Sequence, residues 1–179
     1  DAPSPSGAAA MTVTGSGDPA SGISLDARLA NLGVLVPEFP GPASVTGTLR
    51  EQGANFAVDL DVAAPGSVNL QIAGTAARDG STVDLGITGS ADSALANTTL
   101  RTRSITGPLA INLRLAGPPS LQSLGGTVTL SGGQLSDPGL GIRLEGVGIT
   151  AGFQNGRVQV DGAADVAAGG RIVLSGPVD

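Results

Sequence analysis

Apolar and polar side chains alternate with a period of two along most of this chain, which predicts β-strands joined by tight turns. Between residues 43 and 90 the turns can be tried one by one. A two-residue turn at Gln52-Gly53 sets Leu49 opposite Phe56, Gly47 opposite Val58, Val45 opposite Leu60 and Ala43 opposite Val62. The connection Ala64-Pro65-Gly66 then sets Val62 opposite Val68, Leu60 opposite Leu70 and Val58 opposite Ile72. Asp79-Gly80, a favoured hairpin dipeptide, sets Ala76 by Val83, Gly74 by Leu85 and Ile72 by Ile87. All three turns agree on one apolar face. The opposite face carries Ser44, Thr46, Thr48, Arg50, Asn55, Asp59, Asp61, Asn69, Gln71, Thr75, Thr82, Asp84 and Thr88. A slip of one residue would invert a strand, so these faces are strongly specified. The segment reads as a four-stranded antiparallel sheet, wet on one side.

The second half repeats the device. Leu109, Ile111, Leu113 and Leu115 alternate with Ala110, Asn112 and Arg114, and Leu124, Val128 and Leu130 follow the Pro118-Pro119 break. Leu140, Ile142 and Leu144 lie on even positions, whereas Val147, Ile149, Ala151 and Phe153 lie on odd ones. That change of parity predicts a bulge or bend at Gly146. Asn155-Gly156 is the clearest hairpin signal, pairing Phe153 with Val158 and Ala151 with Val160. Ile172 and Leu174 close the series. No amphipathic helix of useful length is present; Ala91 to Leu100 suits a short turn or helix separating the halves. Residues 1–10, rich in Ala, Pro and Ser, read as a frayed end or linker.

An antiparallel sheet with one apolar face must cover that face with something. Without helices, the choices are a second sheet, closure into a barrel, a partner chain or a ligand. The expected class is therefore all-β, with antiparallel strands in a curved, folded-over sheet that forms an open apolar groove; a closed β-sandwich or solenoid is the alternative. The candidate lining is Val45, Val58, Leu60, Val62, Val68, Leu70, Ile72, Val83, Leu85 and Ile87, then Ile111, Leu113, Val128, Leu130, Ile142, Leu144, Val147, Ile149, Val158, Val160, Ile172 and Leu174. A strand of about eight residues spans roughly 26 Å, wide enough for an acyl chain. Each buried methylene contributes about 0.8 kcal/mol, so such a chain can be held without a specific polar contact.

Composition narrows the choice. The chain is 40% hydrophobic but only 2% aromatic, its rings being Phe39, Phe56 and Phe153, a poor supply of the large side chains that dominate closed cores. Abundant Gly, with Gly47, Gly74 and Gly89 on the inward rows, suits a lining that leaves space, though Gly also marks kinks in closed structures. The net charge is −6 and every basic residue is Arg, with no clustered positive footprint for nucleic acid. His, Cys, Lys and Tyr are absent, so the usual nucleophile–base pairs cannot be assembled and no catalytic role is expected. Asp59 and Asp61 share a face, but alternation alone produces that spacing. Gly125-Gly126, Gly132-Gly133 and Gly169-Gly170 lack the strand-to-helix context and following Lys of a phosphate loop and read as turns or kinks. No cofactor or metal is expected. A start at Asp1 and the lack of an apolar run of about 18 residues read as a mature product or a piece of something longer.

One resemblance adds to this. Ile105-Thr106-Gly107-Pro108-Leu109-Ala110-Ile111-Asn112-Leu113, followed by Leu115-Ala116-Gly117-Pro118, resembles a phrase common in TamB-family proteins. Gly125-Gly126-Thr127-Val128-Thr129-Leu130-Ser131-Gly132-Gly133-Gln134-Leu135, running into Asp137-Pro138-Gly139-Leu140-Gly141-Ile142-Arg143-Leu144, is similar to another. Gly169-Gly170-Arg171-Ile172-Val173-Leu174-Ser175-Gly176 resembles the family's closing phrase. The likeness is clear over 104–179 and looser over 43–103, and its phrases are degenerate. It implies a single β-groove segment, residues 1–179, of a longer periplasmic protein of the AsmA-like, taco-shaped kind, anchored in the inner membrane of a Gram-negative bacterium. It implies phospholipid acyl chains as cargo, moved between inner and outer membrane, and assembly of outer-membrane proteins with a TamA-like barrel partner. Three functions stay open on the sequence: lipid conduction, a chaperone-like module holding nascent outer-membrane β-strands, and a closed structural sandwich or adhesin fragment.

Overall fold

The structure, a computed structural model, describes residues 11–18, 22–30, 41–100 and 102–178. The frayed or linker segment expected at 1–10 lies outside the described residues. The described chain forms a single twelve-stranded antiparallel sheet rather than two separate halves. In chain order the strands are β1 (Met11–Asp18), β2 (Gly22–Leu29), β3 (Ala43–Gln52), β4 (Asn55–Ala64), β5 (Val68–Ala77), β6 (Val83–Asp92), β7 (Ser104–Thr106), β8 (Pro108–Gly117), β9 (Leu124–Asp137), β10 (Ile142–Gln154), β11 (Arg157–Val166) and β12 (Arg171–Val178). Each pairs with its neighbour in sequence, except that β6 joins β8 directly and the short β7 extends the β8 side of β9. β1 and β12 do not pair, so the sheet is not closed into a barrel. The expected four-stranded unit, β3 to β6, is thus the middle of a longer ladder. β1 and β2 escaped the sequence reading, because Gly15, Ser16 and Gly17 blur the alternation there.

Two hairpins have the expected register. Ala76 faces Val83 and Ile72 faces Ile87 across the Asp79-Gly80 turn. Phe153 faces Val158 across Asn155-Gly156, whose φ values of 52° and 75° are the paired left-handed conformations an Asn-Gly hairpin turn requires. Two other hairpins need correction. Leu49 faces Val58, not Phe56, and Leu60 faces Gly47, not Val45. The turn there is Gly53-Ala54, with Gly53 at φ 62° in the first central position. Val62 faces Leu70, not Val68, and Leu60 faces Ile72, not Leu70, because Pro65, Gly66 and Ser67 together make the connection. Both errors are shifts of two residues, which leave every side chain on its expected face.

The expected irregularity at Gly146 is present. The β10–β11 register shifts between Glu145 and Gly148, and Gly146 has φ 58°. A second bulge answers it on β9. Leu144 faces Leu135 and Ile149 faces Leu130, with Val147 opposite Gly133 between them, so each strand carries one extra residue around Val147. Gly132, at φ 61°, supplies the turn on β9.

Several strand glycines are also kinked, Gly47 and Gly89 among them. A methyl on Gly47 (φ 153°) would lie 2.0 Å from the Asp59 carbonyl oxygen, and one on Gly89 (φ 154°) would lie 2.0 Å from that of Asn69. Only glycine fits such strand bends.

Between β6 and β8 the chain leaves the ladder. A 3-10 turn at Ser93–Ala96 and one helical turn, α1 (Asn97–Leu100), occupy the segment expected to be a turn or short helix. Asp92 caps it, its Oδ1 accepting from the Ala94 N–H at 2.8 Å, and Leu95 packs on Gly66. The Asn97 side chain clamps β7, accepting from the Ile105 N–H at 2.7 Å and donating to its carbonyl at 3.0 Å.

Candidate functional site

Following the ladder from strand to strand shows what the alternation builds. One row runs Leu25, Gly47, Leu60, Ile72, Ile87, Leu113, Gly126, Phe153, Val158 and Val178. Beside it run Ala27, Val45, Val62, Leu70, Gly89, Ile111, Val128, Ala151, Val160 and Gly176. On its other side run Ile23, Leu49, Val58, Gly74, Leu85, Leu115 and Leu124. No polar or charged residue interrupts any of these rows. Val68 and Val83 stand on the same face, opposite Ala64 and Ala76. Between these rows, on the other face, run Thr14, Asp26, Thr46, Asp61, Gln71, Thr88, Asn112, Thr127, Gly152, Gln159 and Pro177.

Exposure divides the apolar face in two. None of the residues in the three rows above is buried, and along β8 the inward Leu109, Ile111, Leu113 and Leu115 are half-buried while their outward neighbours are exposed. Among the described residues, burial is confined to the region beside the insert. There Leu130, Val147 and Ala164 form a small core, with Ile105, Leu109, Leu135, Leu144 and Ile149 packed on it. The remaining expected lining residues lie near this end: Ile142 opposite Asp137, Ile172 opposite Ala164 and Leu174 opposite Gly162, all three exposed. The ladder therefore brings all the expected lining residues onto one face, but they fall into two environments.

Ile105, Leu109, Leu135 and Ala164 belong to the buried cluster and were not among the expected lining, although Leu109 stood in the alternating row with Ile111. The signal for Leu135 was readable: apolar positions on β9 switch from even (Leu130) to odd (Leu135) across Gly132-Gly133, the parity change that marked Gly146. Ile105 sits in a three-residue strand, too short to display a period.

No charge stands in the three rows; Glu51 and Asp137 share the face beyond them, opposite Phe56 and Ile142, and each is paired with an arginine. Arg114 grips Asp84 from the adjacent strand through two bonds of 2.8 Å, which hold the Asp84 carboxyl below the usual carboxylate range and raise the guanidinium. Arg78 meets Glu51 at 3.0 Å and lies over the Phe56 ring, 5.6 Å from its centroid. At the end of β9, Arg103 Nε donates to the buried Asp137 at 2.7 Å, while the other Asp137 oxygen accepts from the Leu140 N–H. The Arg103 bond is the main cause of the lowered Asp137 pKa. Asp59 and Asp61 stand exposed on the polar face opposite Thr48 and Thr46. Among the described residues no three acidic side chains gather to hold a metal ion, and no helix is long and apolar enough to cross a membrane. The arrangement presents an apolar surface on one side of the sheet and a polar one on the other.

No family model, no curated protein and no solved structure matches this chain.

Proposed function

We propose that the chain is a groove segment that carries lipid acyl chains along the apolar face of its sheet. The observation that carries this reading is the set of three adjacent apolar rows, unbroken by a polar residue and containing no buried side chain. A closed sandwich of this size would be expected to drive its inner rows out of solvent. Ten consecutive strands at about 4.8 Å spacing make a path of about 43 Å along the two longer rows, longer than a single acyl chain. With no polar contact to fix one position, a chain held there by methylene burial is free to slide. The TamB-like phrases between 104 and 179 support the same reading and suggest the setting: a periplasmic protein moving phospholipid between two membranes and working with a barrel partner in outer-membrane assembly.

The test is native mass spectrometry of the chain after incubation with phosphatidylethanolamine and phosphatidylglycerol vesicles. Lipid adducts are expected on the unaltered chain. Leu60→Glu with Leu113→Glu, two charges in the middle row, should abolish them while leaving the far-UV circular dichroism unchanged. Adducts that persist in the folded double variant would overturn the reading.

A further inference from the structure

Asn55, Asn69, Asn97, Asn112 and Asn155 are the asparagines among the described residues. The side-chain carbonyl of an asparagine can be attacked by the backbone nitrogen of the next residue, which closes a five-membered ring. The fold decides where that attack is open. Asn55 precedes Phe56 in β4, Asn69 precedes Leu70 in β5 and Asn112 precedes Leu113 in β8, and each of these strands is paired on both sides. Asn97 precedes Thr98 and spends its amide on Ile105.

Asn155 differs on every count. It is exposed, no hydrogen bond holds its side chain among the described residues, and the glycine that follows has no Cβ to shield its nitrogen. In this two-residue hairpin the bonds belong to the flanking pair, Gln154 and Arg157, so the Gly156 N–H has no acceptor. The comparable turn at Asp79-Gly80 is guarded. There the Gly80 N–H donates to the Ala77 carbonyl at 2.9 Å. Bonds from the Ser81 hydroxyl and then its N–H hold the Asp79 carboxyl below the usual carboxylate range, and an ionised carboxylate is a poor electrophile.

We propose that Asn155-Gly156 is a deamidation site. The Gly156 nitrogen bonds to Asn155 Cγ, the Cγ–Nδ2 bond breaks, and the departing nitrogen takes the Gly156 proton and leaves as ammonia. Water then opens the succinimide at either carbonyl, giving an aspartate or an isoaspartate at position 155. Ring closure draws Asn155 out of its left-handed conformation at φ 52°, so each event begins with a brief opening of the turn. The two products part in their effect. An aspartate keeps the hairpin, since Asp-Gly suits the same turn. An isoaspartate lengthens the backbone of a turn built for two residues, and the first pair beyond it on the apolar face is Phe153 with Val158, in the middle row. That product loosens the β10–β11 end of the apolar path, whatever the path carries.

Trypsin, cutting after Arg143 and Arg157, releases residues 144–157 with Asn155 as their one asparagine. After the folded 179-residue chain has stood in mildly alkaline buffer, mass spectrometry of this peptide is expected to show an amide turned acid, in two chromatographic forms. The reaction should run about tenfold or more ahead of that at the other four asparagines. In urea, where the turn is not held, it should run faster still. Asn155→Asp should release no ammonia from this position and should melt like the unaltered chain. Hydrogen exchange over 151–160 should be faster in the isoaspartate form than in the aspartate form. An Asn155 amide that persists, a rate no higher than at the other four, a rate unchanged by urea, or equal exchange in the two forms would each overturn the proposal.

Discussion

The β3–β6 meander and the β8–β11 block are built from the same alternation, yet only the second makes a core. In the meander every strand has ten residues, no register shifts, and every inward side chain from Val45 to Ile87 keeps some contact with solvent. In the block, β9 and β10 lengthen to 14 and 13 residues, carry facing bulges, and bury Leu130 and Val147 to 3% exposure. A pair of opposed bulges adds local twist without changing the net register, and it coincides with the only buried apolar cluster among the described residues. An apolar face is therefore not by itself a core. Here it becomes one only where the ladder is deformed and the insert holds β7 against β9.

The difference should show first in stability. Leu130→Ala, in the core, is expected to cost about 3–4 kcal/mol. Leu60→Ala, on the half-exposed face, is expected to cost about 1–2 kcal/mol, since less apolar area leaves water there. Urea denaturation monitored by circular dichroism measures both, and equal costs would erase the distinction between the regions.

Glycines sharpen it next. Gly89 and Gly176 lie in one row, but a methyl at Gly89 is driven into the Asn69 carbonyl whereas one at Gly176 meets nothing within 4 Å. Gly89→Ala should cost about 2–3 kcal/mol through backbone strain and a forced strand separation. Gly176→Ala should be neutral or raise stability by about 0.5 kcal/mol. The same melts report both.

How much of this was legible follows from what alternation encodes. The faces were readable because a strand's side chains have a period of two, and the parity break at Gly146 was readable for the same reason. Registers were readable only where the turn dipeptide was decisive, at Asp79-Gly80 and Asn155-Gly156. At Gly53-Ala54 and Pro65-Gly66-Ser67 a shift of two residues preserves the faces, so hydrophobicity had no power to choose. The insert's clamp was not readable, since Asn97 and Ile105 meet by tertiary contact. Nor was the division of the apolar face into buried and half-buried parts, because Leu60 and Leu130 look alike in sequence.

The clamp and its latch give the smaller effects. Asn97→Ala removes both bonds to Ile105 and should cost about 1–2 kcal/mol, with hydrogen exchange rising at Ile105 and Leu135 but not in β4 or β5. The Asp137 carboxyl is held below its unfolded value near 3.9, chiefly by Arg103. Its contribution to stability is then complete above about pH 4 and is lost as pH falls through the folded value. Stability against pH should slope downward below about pH 4, and Asp137→Asn should flatten part of that slope.

The most direct test of the proposed lipid path is site-specific photocrosslinking in the presence of phospholipid vesicles. Benzoylphenylalanine is placed at Leu60, Ile72 or Leu113 on the middle apolar row, and at Asp61, Gln71 or Asn112 on the adjoining polar row. Lipid adducts from the first set and none from the second are the predicted result. Adducts of equal yield from both sets, or from the polar row alone, would contradict the account.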